Sequence, residues 1–341
     1  MNSDSQTNQP AKPEASEVFA DKPKEDQPWD VAIIGSGPAG FSAAIYTTRG
    51  AASTVILGGD NWGGQLMLTT EVDNYLGLPG MQGPEMMEKF KSHATKFGGE
   101  FVAKNVSSVD FSQRPFKLTA DKKEYLAKTV IIATGSETKW LGVPGEDKLR
   151  GRGVSSCAPC DAPFFKDKKV IVVGGGDSAM EEALVLTKYA SSVTIIHRRE
   201  EFSASAAMQE RVFTQEKEGK IDIVWNSEVK EFVGEAKLEK VKLVNNKENN
   251  ESEMDIDGAF VAIGHLPATD LFKGKVELDK KGYVVKHQKD NFSTATSVEG
   301  IFVAGDVHDH HYMQAVTAAG FGCMAAMDTL KFIDKEKERN A

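Results

Sequence analysis

V-A-I-I-G-S-G-P-A-G, residues 31 to 40, sets the reading of the whole chain. Four apolar residues run into a glycine turn, and a helical pattern follows through Phe41, Ala44, Ile45 and Thr48. Strand, glycine turn and helix in that order give G-x-G-x-x-G its meaning. Gly35 permits the tight turn, Gly37 lets a pyrophosphate approach the backbone, and Gly40 lets helix and strand pack closely. With Ser36, Pro38 and Ala39 completing the turn, the helix start offers free N–H groups to phosphate. Taken alone, the motif also fits a plain tight turn between strand and helix.

The pattern returns at Val170-Ile171-Val172-Val173, a continuous apolar run of the kind found in buried parallel strands. It leads into G-G-G-D-S-A, Gly174 to Ala179, which fits G-x-G-x-x-A through Gly174, Gly176, Asp177 and Ser178. A helix and a second strand, Val193 to Ile196, follow, and that strand ends in His197-Arg198-Arg199. An NAD site would place an acid near this strand end. Two guanidinium groups suit a 2′-phosphate instead, which points to NADPH; a solvated basic turn is the plainer alternative.

Two dinucleotide turns in one chain indicate a flavoenzyme, with FAD at one and NADPH at the other. Two further strand ends support the flavin: Val130 to Ile132 running into Ala133-Thr134-Gly135, and Ile301 to Val303 running into Ala304-Gly305-Asp306. Asp306 is placed to accept a hydrogen bond from a ribityl hydroxyl, or to cap a helix expected over 312–331. The first nucleotide turn precedes the second, while Gly305-Asp306 follows it. The expected fold is α/β, with two Rossmann-like domains and the NADPH domain inserted into a split FAD domain. The expected boundaries are a disordered tail over 1–29, FAD domain over 30–139 and 265–333, NADPH domain over 140–264, and a frayed end over 334–341.

Bulk properties agree with such an enzyme. The 341 residues suffice for about two domains. A formal net charge of −9 argues against nucleic acid or an anionic membrane as a partner. The sequence lacks ~18 consecutive apolar residues, so no transmembrane helix is expected. The tail is polar and rich in Pro, Ser and charge, without a secretory signal's apolar core. Three cysteines cannot staple a fold of this size, which favours a reducing compartment, the cytoplasm.

Two of those cysteines stand in S-S-C-A-P-C-D, residues 155 to 161. A zinc site needs about four ligands. Cys323 is remote in an apolar helical stretch, and His308, His310 and His311 match no common zinc spacing and read as a surface loop. No metal is expected. Redox chemistry remains: Cys157 and Cys160 can close a small disulfide ring and exchange electrons with a flavin. We assign Cys160 to the flavin side and Cys157 to exchange with an outside disulfide. Asp161 is a candidate general acid, or a helix cap.

These motifs together resemble the low-molecular-weight thioredoxin reductases of bacteria, fungi and plants. The likeness runs from about Trp29 to Ile333 through G-S-G-P-A-G, G-G-Q-L at 63–66, T-T-E-V-D-N-Y at 69–75, C-A-P-C-D, G-G-G-D-S-A-M-E-E-A, H-R-R-E-E-F and G-D-V-x-D-x-x-Y-x-Q-A-V-T-A-A-G at 305–320. The resemblance implies thioredoxin as the disulfide partner, a homodimer, and rotation of the NADPH domain on its linkers, with Gly135, Gly142 and Gly264 as pivots. It further implies that Gly64, Gln65, Thr70, Asn74, Gln314 and Ala315 line FAD. Ser178, His197, Arg198, Arg199 and Ile263 would line NADPH.

Three positions depart from that family's pattern. Pro159 replaces a usual Thr between the cysteines, Ser203 replaces a third phosphate-side Arg, and Met313 replaces an Arg beside the flavin. Alternatives in the same fold use ferredoxin as donor or another dithiol as acceptor. A third reading is an oxygen-dependent disulfide oxidase.

Overall fold

The computed structural model describes residues 20–69, 71–289 and 291–340. They form two compact units. One comprises the described residues up to Leu68, Met81–Ser136 and Pro267 onward; the other comprises Thr69–Gly80 and Glu137–Leu266. The second is thus inserted into the first. The tail expected over 1–29 lies mostly outside the described residues. From Ala20 the chain is described, Lys22 pairs with Glu100 at 2.7 Å, and Trp29 already opens the first strand.

The first unit is built on a seven-stranded sheet. Strand Trp29–Ile34 lies parallel to Thr54–Leu57 on one side and Lys123–Ile132 on the other. Period-two geometry sends alternate side chains to opposite faces. Ala32, Ile34, Val55, Leu57, Val130 and Ile132 pack into one apolar cluster, and Val31, Ile33, Ile56 and Ile131 into another. Both faces are covered, which is why these strands read as unbroken apolar runs. Strand Lys123–Ile132 changes partner along its length. Its first half is antiparallel to Phe116–Ala120 and its last three residues are parallel to Ile301–Val303. Helix α1 (Pro38–Arg49) follows the first glycine turn, and α2 (Gly83–Lys96) buries Met86, Met87 and Ala94.

In the second unit, the short helices α3 (Glu146–Leu149) and α4 (Ala158–Asp161) precede a five-stranded parallel sheet's central strand, Lys169–Gly174. Strands Gly258–Ala262 and Ser192–Ile196 flank it. Helices α5 (Asp177–Leu186) and α6 (Ala206–Lys217) follow. A three-stranded antiparallel sheet, Ser227–Val233, Lys240–Asn245 and Glu251–Asp255, completes the unit. Near the entry to this unit the buried Glu146 carboxylate accepts the amides of Leu141 and Gly142, at 2.9 and 2.7 Å.

The chain closes on α7 (Ala315–Asn340) in the first unit, packed along α1. The end expected to fray over 334–341 is instead helical through Asn340. Ion pairs of Asp334 with Lys337, and of Glu336 with Arg114 and Arg339, support it. By length and hydropathy α7 passes for a membrane span, at a mean hydropathy of 1.2. Its apolarity serves the core: Ala318, Ala325, Ala326, Phe332 and Ile333 are buried in the cluster that includes Phe41 of α1.

Phe260, on the strand Gly258–Ala262 beside the central strand, is fully enclosed and edge-on to Phe165 at 5.1 Å between ring centroids. Phe260→Ala is expected to destabilise this unit by about 3–5 kcal/mol through lost transfer energy and a residual cavity. Urea unfolding of wild type and variant measures it.

Candidate active site

In the first unit, the strands Trp29–Ile34, Lys123–Ile132 and Ile301–Val303 run parallel and end at one edge of the sheet. That common edge collects Gly35 to Gly40, Ala133, Gly135, Gly305 and Asp306. Gly35 has φ 115°, and a Cβ on it would lie 2.1 Å from the Ala133 carbonyl oxygen. A Cβ on Gly37 would meet nothing within 4 Å, and the first turn of α1 carries no side-chain cap. The backbone there is open to an approaching phosphate. Ser36 faces inward: it donates to the Gly58 carbonyl at 2.7 Å and accepts the Gly63 amide at 2.9 Å. It thereby pins the loop leading to Gly64 and Gln65, which open a 3₁₀ turn over Gly64–Leu68. Gln314 and Ala315 stand at the start of α7. Thr70 lies outside the described residues. Asn74 lies in the segment Thr69–Gly80, which groups with the second unit.

Asp306 carries the clearest sign of a ligand. Its Oδ1 is enclosed and has no hydrogen-bond partner among the described residues. Buried acceptors are normally paired, so this oxygen fits a donor from outside the chain, such as a sugar hydroxyl. Burial, and then the charge of Asp309, pushes its pKa up to about 7. The helix-cap alternative fails. The helix expected from Tyr312 starts at Ala315, because Met313 adopts φ 49° and interrupts the helical path. Asp309 closes the turn ahead of the helix, accepting the amides of His311, Tyr312 and Met313 at 3.0, 3.1 and 3.3 Å. The H-D-H-H stretch, expected as a surface loop, is divided. His310 and His311 are exposed, while His308 and Asp309 are buried. His308 sits edge-on to Phe321. Burial, and then the charge of Lys286, pushes its pKa down to about 4, so it is neutral. Among the described residues, no group of three or more His, Cys, Asp or Glu is arranged to hold a metal ion.

The second unit repeats the construction. A Cβ on Gly174 would lie 2.4 Å from the Ala262 carbonyl oxygen, so the glycine turn again presses on the neighbouring parallel strand. Ile263 follows that strand and is partly exposed. A Cβ on Gly176 would meet only Ser203 Oγ, at 4.0 Å, and the start of α5 has no side-chain cap. Ser178, Arg198 and Arg199 are exposed, and among the described residues neither arginine forms an ion pair. These donors fit a phosphorylated dinucleotide. Asp177 is occupied: its Oδ1 accepts the amide and hydroxyl of Ser205, both at 2.8 Å. His197 is buried, with its ring nitrogens 3.0 and 2.9 Å from the carbonyl oxygens of Gly174 and Glu201. It braces the turn. Ser203, which stands where the resembled family has an Arg, donates its hydroxyl and amide to the Gly175 carbonyl at 3.1 and 2.8 Å. Sequence reasoning missed both ties, because carbonyl acceptors leave no mark on residue type.

The same unit carries the thiol turn. Cys157 and Cys160 form a disulfide, with Cα atoms 5.3 Å apart. Cys157 immediately precedes α4, Cys160 lies within it, and both are half-buried. Ser155 ties the turn together. Its hydroxyl donates to Asp161 Oδ2 at 2.5 Å and accepts the Cys157 amide at 3.1 Å. Burial raises the Asp161 pKa, and the Ser155 hydrogen bond opposes the rise without cancelling it. Asp161 caps no helix with its side chain. A carboxyl that holds its proton more tightly than usual, next to a disulfide, suits proton delivery to a leaving thiolate. One further carboxyl, Glu182 on α5, was not foreseen: it faces the Ala158 amide within this turn.

Comparisons with known proteins agree with this geometry. Residues 29–322 match the model of the pyridine nucleotide-disulphide oxidoreductases. A thioredoxin reductase of Rickettsia conorii is 49% identical over 310 residues, covering 89% of this chain and 98% of that protein. One of Streptomyces coelicolor is 49% identical over 308 residues, covering 89% and 94%. The solved thioredoxin reductase of Giardia duodenalis superposes with a TM-score of 0.85 at 38% identity, covering 90% of this chain and all of that one. FAD and NADPH are the cofactors of this group, and the residues at both turns fit them. With its two glycine turns, its bonded cysteine pair and these relatives, the chain belongs to the pyridine nucleotide-disulphide oxidoreductases, among the thioredoxin reductases.

Proposed function

We propose that this protein reduces the disulfide of a thioredoxin with electrons from NADPH, by way of FAD and the Cys157–Cys160 pair. The observation that carries the reading is the cysteine pair itself, bonded and half-buried, with a carboxyl of raised pKa tied to it through Ser155. FAD, when bound, would supply the two-electron relay between the nicotinamide and the disulfide. The first unit would hold it through the turn Gly35–Gly40, with Asp306 as acceptor for a ribityl hydroxyl, and the second would hold NADPH through the turn from Gly174 to Ser178, with Arg198 and Arg199 as donors to the 2′-phosphate. Two electrons break the S–S bond, one sulfur takes a proton and the other remains a thiolate. Cys157 then attacks the substrate disulfide and forms a mixed disulfide. The departing substrate sulfur takes a proton, for which Asp161 is the source. Cys160 gives up its proton as it attacks Cys157 and restores the pair; the second substrate sulfur leaves and takes up that proton, so the substrate is released as a dithiol.

We further propose that the protein is a cytoplasmic homodimer. A thioredoxin and NADPH fit a reducing compartment. Tyr46 of α1 and Val316, Met324 and Met327 of α7 are exposed large apolar side chains in the first unit, and exposed apolar surface of this kind marks an interface.

Three measurements check these readings. Anaerobic titration with NADPH is expected to place two electron pairs per flavin in wild type and one in Cys160→Ser, which loses thioredoxin reduction; unchanged turnover in that variant refutes the pathway. Arg198→Ala with Arg199→Ala is expected to raise the KM for NADPH roughly tenfold or more, from the loss of charge-assisted hydrogen bonds, and to leave that for NADH nearly unchanged. Met324→Glu with Met327→Glu is expected to halve the mass seen by analytical ultracentrifugation. A monomeric wild type refutes the dimer.

A further inference from the structure

The reductase reading leaves Glu182 without a role. It stands on α5, which packs against α4, and Ala158, Ala162, Ala179 and Ala183 of these segments share one apolar cluster. The carboxyl faces the amide of Ala158, the residue that follows Cys157. One of its oxygens, Oε2, is enclosed and has no hydrogen-bond partner among the described residues. Glu182 as a whole is half-buried. An ionised carboxyl so placed would lack the partners that a buried charge requires. Burial dominates, and the charges of Asp161 on α4 and Glu181 on α5 add to it, pushing the pKa up to about 8.

We propose that Glu182 is a positioning residue for the redox turn: a neutral carboxyl in its floor that fixes the Ala158 amide and keeps negative charge away from Cys157 and Cys160 during reduction. This rests on the reading of those cysteines as a redox pair, and is independent of which acceptor they serve. Reduction puts two electrons into the S–S bond, gives a proton to one sulfur and leaves the other as a thiolate. Asp161 is coupled to the same turn through Ser155. A second carboxylate charge would disfavour the thiolate and raise its pKa. Since the thiolate is the nucleophile, exchange would slow. Glu182 avoids this by retaining its proton through the cycle.

The test compares wild type with Glu182→Gln, which keeps an acceptor for Ala158 and cannot ionise. The FAD-loaded enzymes are reduced with excess dithiothreitol, freed of it anaerobically and alkylated with iodoacetamide, and Cys157 modification is followed by mass spectrometry from pH 6 to 9. At pH 6.5 the two rates are expected to match. At pH 9, where Glu182 of wild type has ionised, the variant is expected to react roughly threefold faster or more. A rate ratio that is the same at both pH values overturns the proposal, since a merely structural substitution would act at every pH. Because dithiothreitol supplies the electrons, a failure of NADPH to reduce the pair leaves this test intact and refutes only the reductase reading.

Stability gives a second readout. Between about pH 4.5, where the unfolded residue titrates, and about pH 8, the folded protein holds a proton that the unfolded chain has lost. The contribution is therefore complete at low pH and is lost as pH rises through 8. Chemical unfolding of Glu182→Gln is expected to show a shallower decline over this range than wild type. Parallel declines overturn the proposal.

Discussion

Both halves of this protein depend on one close approach: a glycine backbone pressed against the carbonyl end of the next parallel strand. At Gly35 a Cβ would stand 2.1 Å from the Ala133 oxygen, and at Gly174 a Cβ would stand 2.4 Å from that of Ala262. No side chain fits at such distances. The contact lets each turn drop below the strand ends and deliver a helix start, stripped of side-chain caps, to the carboxyl edge of its sheet. Ligand-binding groups from strands far apart in sequence meet there because parallel pairing sets all their ends on one side.

This logic explains what was legible in the sequence. Glycine turns after apolar runs announce themselves, and so does a C-x-x-C followed by an acid. The arginines at 198 and 199, read as a grip for a 2′-phosphate, are exposed and form no ion pair among the described residues. Groups whose state depends on tertiary neighbours stayed hidden. The start of α7 was placed at Tyr312, since no sequence rule forbids a helix there; Met313 turns aside because Asp309 collects three consecutive amides. His308 looked like its exposed neighbours, yet packing on Phe321 takes it inside. The antiparallel sheet over Ser227–Asp255 left no motif at all. Alternating lysines, glutamates and valines make a surface strand without telling where it belongs.

Carboxyl groups divide the labour by environment. Asp161 and Glu182 both hold protons more tightly than exposed acids, chiefly through burial, and both adjoin the cysteine turn. Asp161 has a hydroxyl partner that partly offsets the burial, while Glu182 has an enclosed oxygen with none among the described residues. The same residue chemistry thus sits in two environments, and these suit Asp161 to the proposed role of proton donor and Glu182 to that of a carboxyl that stays neutral. Asp306, in the other unit, owes its raised pKa chiefly to the same cause, and its enclosed Oδ1 has no partner among the described residues.

Ser203 gives the second turn an unusual independence. Together with the amides of Ser203 and Ala204, its hydroxyl makes the Gly175 carbonyl a threefold acceptor, and the imidazole of His197 wedges the turn from beneath. The mould is cast by the chain's own groups. A guest entering a loop preset in this way spends less of its binding energy on ordering it.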